Sequence, residues 1–290
     1  MHWLKRLLGL FGGEASASNV SETGKADRAS IKARFAALAQ PAVLLAPHGA
    51  AGFSRLGGLP QMPSDTAWPQ YGGKPQAFLA QLDLAEVHSA MASSLPATGF
   101  LFFFYDQEQG VWGFDPKDVE GWQVVHTQAD CRSLPERSAP EGLPEEFIYQ
   151  RKPVQAERIE LLPDTPRLPS AEFDWKRDGD AYTNYRQEVF GERTRHQVLG
   201  FPTPVQGDDM ELECQLASNG IYVGGPEGYK NPRVEELRAG AREWKLLLQL
   251  DTDDDTGWMW GDVGTLYFWM RESDMKAGDF SRAWMVFQCC

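Results

Sequence analysis

The sequence predicts an α+β protein: a duplicated β-rich unit with mostly antiparallel strands, flanking helices and pseudo-twofold symmetry. Apolar runs of strand length, such as GFLFFFYD at 99–106, alternate with short helical patterns. In the second half, WKLLLQLD and GTLYFWMR repeat the order of FLAQLD and GFLFFFYD. Because two copies are present and a solenoid needs about three or more, duplication within one domain is favoured.

The charge balance restricts the kind of partner that the protein can bind. The 290 residues carry a formal net charge of −13, a field that repels nucleic acid phosphates and anionic lipid headgroups. Nucleic acid binding is therefore disfavoured, whereas a basic protein would be attracted. The four cysteines show no zinc-site spacing, and a chain of this length needs no disulfides, so a cytoplasmic location is expected. No cofactor is predicted.

The N-terminal segment, residues 1–27, differs from the remainder of the chain. The apolar residues of 1–11 lie on one face of a short helix, which predicts peripheral contact with a membrane surface or docking on protein. Residues 12–27, rich in Gly, Ser, Ala and Thr, are predicted to be a flexible linker. No stretch has the ~20 apolar residues of a membrane span, so no stable insertion is expected. The remainder is predicted to be a single domain, residues 28–290, with approximate repeats at about 42–130 and 195–290.

Each predicted element has its own local signal. AVLLA at 42–46 is typical of a buried strand, and the following Gly/Pro-rich segment predicts an extended loop. FLAQLD at 78–83 predicts a strand, and Asp83 with Glu86 predicts a capping-box start of the next helix. The remaining predictions are a hairpin at 111–127, a strand at 154–163, helices at 180–192, 209–218, 232–241 and 273–280, and strands at 244–251, 264–271 and 281–288.

An acidic stretch, QLDTDDDTGWMWGDVG at 249–264, joins the last two repeat strands. Its alternating aspartates resemble a calcium-binding loop, but Thr256 occupies the position of the required glycine, and strands flank it instead of helices. No metal site is therefore predicted. Aspartates and glycines at a strand end also favour an exposed turn. Trp258 and Trp260 are expected to pack beneath this turn, or, if exposed, to form a protein-binding patch.

No standard catalytic motif occurs in the sequence. Residues 52–56, GFSRL, begin like a nucleophile elbow but lack its final glycine, and no phosphate-binding glycine motif or HExxH is present. The histidines, including His196, are scattered singly, which is typical of structural residues. No catalytic residue is predicted, and enzymatic activity is not expected, although the sequence does not decide it.

The ordered motifs resemble those of a known family. SRLGGLPQMPSDTAWPQYGGKPQAFLAQLDL, GFLFFFYD, HQVLGFPTPVQGDD and WKLLLQLDTDDDTGWMWGDVGTLYFWM are similar to the YwqG-like family, also known as domain of unknown function 1963. The resemblance extends from about residue 40 to the C-terminus. It implies a bacterial, mostly cytoplasmic α+β protein without assigned catalytic residues. Members of such families occur near genes for secreted polymorphic toxins, which suggests an immunity role.

The leading hypothesis is an acidic binding protein without catalytic activity, most concretely an immunity protein. It would neutralise a secreted antibacterial toxin, of the type VI or another polymorphic class, by direct binding. Concentrated negative charge and the lack of catalytic signatures motivate it, since a basic toxin would be steered to the acidic surface. The predicted partner contacts are Asp208, Asp209, Asp251, Asp253, Asp254, Asp255 and Trp258.

The alternative hypothesis is an enzyme or a small-molecule or metal-binding protein with a cleft between the two repeats. Loops from both halves would converge there. A structural role competes for two of its residues, since buried glutamine amides often hydrogen-bond loop backbone. The predicted cleft residues are Arg55, Gln81, Gln249 and Asp262.

Overall fold

The computed structural model describes residues 23–49, 52–164, 167–168 and 173–290. The predicted amphipathic segment and most of the predicted linker lie outside these residues. The strands are β1 Gln40–Pro47, β2 Arg55–Leu56, β3 Gln70–Tyr71, β4 Lys74–Pro75, β5 Ala77–Asp83, β6 Phe100–Tyr105, β7 Trp122–Thr127, β8 Lys152–Leu161, β9 Gln197–Val198, β10 Trp244–Asp251, β11 Thr265–Arg271 and β12 Trp284–Gln288. The α-helices are α1 Thr23–Phe35, α2 Leu84–Ala90, α3 Trp175–Phe190, α4 Met210–Ala217, α5 Val234–Arg238 and α6 Glu272–Ala277.

Within the described residues, ten strands form one sheet in the order β12-β11-β10-β9-β1-β8-β2-β5-β6-β7, and β3 pairs with β4 separately. Neighbouring strands are antiparallel. The predicted α+β class with antiparallel strands is thus confirmed. We refer to β2, β5, β6 and β7 as the first half of the sheet, and to β9, β10, β11 and β12 as the second half. The long strands β1 and β8 lie between them.

The two ends of the sheet meet in one hydrophobic core. Trp122 on β7 packs on Trp284 of β12 with ring centroids 5.0 Å apart, and its indole N–H donates to the Ala283 carbonyl. Deeper inside, Phe103 of β6 contacts Phe268 of β11 at 5.2 Å. Since these strands lie far apart in the strand order, the sheet must curl strongly, as accumulated strand twist allows. Apolar side chains of both halves are thereby removed from water.

Helices cover the central strands on the other face. Phe190 of α3 packs with Ala42 and Leu44 of β1, and α1 packs on α3 through Phe35 and Tyr182, whose rings meet edge to face at 5.5 Å. The helix predicted at 180–192 is present as α3, which starts earlier, at Trp175, and ends with Gly191 as its C-cap at φ +62°. No α-helix among the described residues combines the length and apolarity needed to cross a bilayer.

Two local predictions are wrong and one is half confirmed. Residues 111–127 contain one strand, β7, and before it a 3₁₀ helix at Pro116–Glu120. The segment that precedes this helix lies beside β12, where Phe287 N–H donates to the Trp112 carbonyl. Helix α1 begins at Thr23, inside the predicted linker.

Asp83 caps α2 by accepting a hydrogen bond from Ala85 N–H, as predicted. Glu86 does not complete a capping box, because its carboxylate accepts the N–H groups of 53 and 54.

Candidate functional site

The acidic loop, residues 252–264, connects β10 to β11. Its fold is set by a turn in which Asp253 and Trp258 exchange two backbone hydrogen bonds. Thr256 Oγ1 donates to the Asp253 carbonyl, and Asp253 Oδ1 accepts from Asp255 N–H. Gly257 adopts φ +77°, a conformation that costs glycine little. The predicted turn is confirmed, with a side-chain hydrogen bond to its own backbone.

A buried charge cluster holds the base of this loop. Asp253 Oδ2 accepts from Lys152 Nζ at 2.7 Å and lies 2.9 Å from His196 Nε2. His196 Nδ1 accepts from Asp251 N–H, so the neutral ring carries its proton on Nε2 and donates it to Asp253. Both ring nitrogens are therefore used within the protein. His196 has no free nitrogen with which to act as a general base.

The cluster favours the ionised form of its carboxyl group. Burial alone would raise the pKa of Asp253, but hydrogen bonds from His196 and Lys152 outweigh it and hold this pKa well below its usual value. Burial would likewise lower the pKa of Lys152, yet its contacts with Asp253 and Asp255 raise it. The charges thus stabilise each other at neutral pH. Removing Lys152 would leave the Asp253 carboxylate buried without a cation, and removing Asp253 would leave Lys152 paired only with the exposed Asp255.

Aromatic rings support the loop from below. Trp258 packs edge-on against His196 at 5.5 Å and against Tyr149 at 6.0 Å. Trp260 packs against Tyr105 and donates its indole N–H to the Asp251 carbonyl. Both tryptophans are buried, which confirms the expectation that they pack beneath the turn. The loop is consequently a rigid surface element with fixed side-chain directions.

The outer surface of the loop combines carboxylates with apolar side chains. Asp254, Asp255 and Asp262 are exposed, and Met259 and Val263 are 49% and 56% exposed. The β-branched Val263 has φ +53°, a strained backbone conformation for this residue type. Large exposed apolar side chains beside charges are typical of interaction surfaces.

A neighbouring loop fixes this outer surface. Gln109 donates its amide N–H to the Met259 carbonyl and accepts from Gly261 N–H through Oε1. Like Val263, Gln109 has φ +53°. Beside Met259 and Val263 lies a cleft of about 460 Å³ that Thr194 and the aspartates of the turn also line. The surface is therefore preorganised on two sides.

The predicted partner contacts divide into exposed and interior residues. Asp254, Asp255 and Asp209 are exposed, and Asp251 is half-buried, where it accepts from Thr265 Oγ1. The structure places Asp253 and Trp258 in the interior, and the side chain of Asp208 is also buried, in an ion pair with Arg167. We remove these three from the contact set, because a partner cannot reach them without rearrangement.

The predicted cleft residues do not converge in one site. Arg55 and Gln81 belong to the first half of the sheet and Gln249 to the second; all three are buried, whereas Asp262 is exposed. Strands β2 and β10 are separated by three strands, roughly 19 Å measured along the curled sheet at the usual strand spacing. The predicted common cleft around these residues is thus not formed.

Gln81 and Gln249 instead bind loop backbone. Gln81 donates to the Phe53 carbonyl and accepts from Gln61 N–H. Gln249 donates to the Arg195 carbonyl and accepts from Thr203 N–H. The structural role predicted for the two glutamines is confirmed.

Arg55 is a fully buried cation in the same loop. Its guanidinium donates to Gln61 Oε1 and to the Leu59 carbonyl, and burial lowers its pKa to about 10. It therefore stays protonated at neutral pH and shapes the loop after β2.

Sequence reasoning missed Lys152, Gln109 and the pairing of His196 with Asp253. These residues are separated by long stretches of sequence, and no local pattern connects them. Among the described residues, no group of three or more His, Cys, Asp or Glu side chains is arranged to hold a metal ion. The turn aspartate that the calcium pattern would use is engaged by Lys152 instead.

Fold and site together define an α+β protein with one curled antiparallel sheet and a rigid, partly apolar acidic loop. Residues 54–289 match the family model described as Domain of unknown function (DUF1963). The chain therefore belongs to this family, as the ordered motifs of the sequence indicate. No curated protein matches the chain.

Proposed function

We propose that this chain is a cytoplasmic binding protein without catalytic activity that neutralises a basic protein by docking on the acidic loop. Its most concrete form is an immunity protein against a secreted antibacterial toxin of the type VI or another polymorphic class. The supporting observation is the rigid outer surface of the loop, where exposed carboxylates lie beside exposed Met259 and Val263.

The proposed contact set is smaller than the one expected from the sequence. It consists of the exposed side chains of the acidic loop: Asp254, Asp255, Met259, Asp262 and Val263. Apolar side chains supply desolvated contact area, and the carboxylates orient a basic partner and raise its association rate. The net charge of −13 extends this attraction beyond the contact itself. Because the loop is locked beneath by Lys152 and His196, little ordering entropy is lost on binding.

Co-expression with a toxin encoded beside this gene tests the proposal. Wild-type protein should protect the cell, and the double variant Asp254→Lys/Asp262→Lys should lose protection and bind the toxin at least tenfold more weakly. The matched control is Asp65→Lys/Glu141→Lys, which makes the same charge change at exposed positions outside the loop. If both double variants protect as well as wild type, the acidic loop is not the docking surface.

We also infer that the two halves of the sheet derive from a duplicated unit with pseudo-twofold symmetry. The strand order outward from β1 and β8 is matched on both sides. Gln81 lies opposite Arg55 in the sheet, and Gln249 lies opposite Gln197. Each glutamine donates to the carbonyl two residues before its opposite residue and accepts from the N–H six residues after it.

Backbone geometry after β2 and β9 supports the same inference. Gly57 and Gly58 have φ values of +61° and +73°, and Leu199 and Gly200 have +62° and +74°. Both long strand pairs also contain one register shift, between Phe78 and Ala80 and between Leu246 and Leu248.

A further inference from the structure

We propose that Trp112 is the aromatic anchor of the docking surface and that its open ring face binds an arginine side chain of the basic partner. This role rests on the proposed function, and it identifies the side chain of the partner that the surface recognises. Trp112 lies in the segment before β7, outside the acidic loop. It therefore adds a second element to the contact set.

The ring of Trp112 is covered on one face and open on the other. It stacks on the ring of Phe287 in β12, with centroids 4.4 Å apart and an angle of 28° between the planes. The backbone is held as well, because the Trp112 carbonyl accepts from Phe287 N–H. Trp112 is nevertheless 36% exposed, so the face opposite Phe287 is directed to solvent. A tryptophan fixed in this way loses little side-chain entropy when a partner binds.

Trp112 belongs to the same surface as the acidic loop. The Phe287 ring that supports it also packs against Gly261 of the loop, where an added Cβ would lie 3.0 Å from Phe287 Cζ. Three residues before Trp112, Gln109 binds the Met259 carbonyl and Gly261 N–H. The exposed ring and the exposed side chains of the loop therefore face the same partner.

The surroundings of the ring favour a cation. Asp118 Oδ2 accepts from Trp112 N–H at 3.2 Å and from Gly113 N–H at 3.1 Å. Both bonds use this oxygen, which leaves Oδ1 for a donor of the partner. Residues 112–120 contain three carboxylates and one lysine, a net charge of −2, and the exposed Asp262 lies on the neighbouring loop. An anionic side chain would be repelled by this field.

Arginine fits this place better than lysine. Tryptophan gives the strongest cation–π contacts, and arginine makes them more often than lysine. A planar guanidinium stacks on an indole and donates to an oxygen acceptor at the same time, whereas an ammonium group is a strongly hydrated point charge. The protein contains this combination elsewhere: the Arg271 guanidinium carbon lies 4.6 Å from the centroid of a Trp244 ring, and the same group donates to Gln215 Oε1. The open face of Trp112 offers the same contact to a partner.

Titration with a short arginine peptide tests the site without a toxin. The full chain, labelled with nitrogen-15 at tryptophan, is titrated with Gly-Arg-Gly-Arg-Gly, and the indole N–H signals are followed by NMR. The signal of Trp112, assigned by its absence in Trp112→Phe, should shift saturably. Trp175 of α3 is the internal control, because it is 62% exposed but lies outside this surface, and it should not shift. Gly-Lys-Gly-Lys-Gly, with the same charge, should bind roughly threefold more weakly.

Two variants measure the contribution of the ring. Trp112→Ala should weaken binding of the arginine peptide about fivefold or more, followed at the backbone amide signal of Asp262, whereas Trp175→Ala should leave it unchanged. Trp112→Phe keeps a smaller ring on Phe287 and should weaken binding about threefold. This second variant decides if Trp112→Ala does not fold.

The outcomes separate this role from the proposed function. If Trp112 shifts with the arginine peptide but the chain protects against no neighbouring toxin, the proposed function is wrong and the arginine site stands. If Asp254→Lys/Asp262→Lys abolishes protection but the Trp112 signal does not shift, the acidic loop stands as docking surface and the anchor is wrong. Equal shifts of Trp112 and Trp175, or equal affinity for the arginine and lysine peptides, also overturn it.

Discussion

Between β5 and β6 the first half of the sheet has helix α2, whereas between β10 and β11 the second half has the acidic loop. Both connections leave a strand that ends in an aspartate, Asp83 or Asp251. In both, the N–H of that aspartate donates to a side chain just before the short strand: Ser54 Oγ in the first half and His196 Nδ1 in the second. The backbone of the two aspartates is held in the same way, and the connection that follows each of them is different.

The difference shows how a charged loop can be held where a helix would otherwise lie. Helix α2 satisfies its own backbone and needs only a cap from Asp83. The acidic loop has turn hydrogen bonds of its own, and the buried contacts of Asp253 with Lys152 and His196 anchor that turn to the strands beneath it. A buried ion pair is sensitive to loss of one partner. The second half therefore depends more on a few side chains than the first.

The largest expected effect is loss of the loop's buried aspartate. Asp253→Ala leaves Lys152, whose side chain is only 9% exposed, with the exposed Asp255 as its remaining ion-pair partner. The free energy of unfolding should fall by about 3 kcal/mol, the lower end of the cost of breaking a buried ion pair. Asp83→Ala removes a helix cap and an ion pair with Arg132, which is 39% exposed and can be hydrated, so about 1–2 kcal/mol is expected. Denaturant unfolding measures both. Equal losses of stability in the two variants would contradict the conclusion that the second half depends more on a few side chains than the first.

Loss of either buried glutamine should destabilise the protein by the same amount. Gln81→Ala and Gln249→Ala each remove one donor to a carbonyl and one acceptor for an N–H, and each should cost about 2–3 kcal/mol. Thermal and denaturant unfolding of the two variants should agree within about 1 kcal/mol. A much larger loss from one of them would break the equivalence of the two glutamines.

The pH dependence of stability should differ in sign between Asp253 and Asp83. The pKa of Asp253 is lower in the folded protein than its value of about 3.9 in the unfolded chain. The ionised carboxylate therefore stabilises the fold above about pH 3.9, and this stabilisation is lost as the pH falls toward the folded pKa. Asp253→Asn should therefore flatten the loss of stability on acidification below about pH 4.

Burial raises the pKa of Asp83, against the opposing hydrogen bond of Ala85. The protonated carboxyl group of Asp83 therefore stabilises the fold below about pH 3.9, and this stabilisation is lost as the pH rises through the folded pKa. Asp83→Asn should accordingly reduce the loss of stability that occurs as the pH rises above about 3.9. Urea unfolding across pH 2–7 checks both, and two variants with superimposable pH profiles would contradict the opposite shifts.

The smallest effect concerns the strained residue of the acidic loop. Val263→Gly relieves φ +53° at an exposed position, so the free energy of unfolding should rise by about 0.5–1 kcal/mol. Under the proposed function, toxin binding should weaken at the same time, because an apolar contact is removed. A variant that is destabilised would show that the valine side chain supports the loop.

Local patterns were sufficient for most of the long elements. The continuous apolar run of β6 and the repeated WKLLLQLD and GTLYFWMR patterns predicted strands that the structure contains, because a buried strand requires apolar side chains whatever its neighbours are. The hairpin at 111–127 failed for the opposite reason. Its first segment hydrogen-bonds to β12, which is distant in sequence, and a contact of that kind leaves no local signal.

The sequence by itself determined the strand-rich class, the acidity and the turn at the aspartates, since each depends on composition or on neighbours along the chain. Only the tertiary structure decided which carboxylates face solvent. Asp253 and Asp254 are adjacent and chemically identical, yet one is 5% exposed beneath the loop and the other lies on its surface. The cause is Lys152, which reaches Asp253 from a strand 101 residues away, and such a partner can be identified only once the chain has folded.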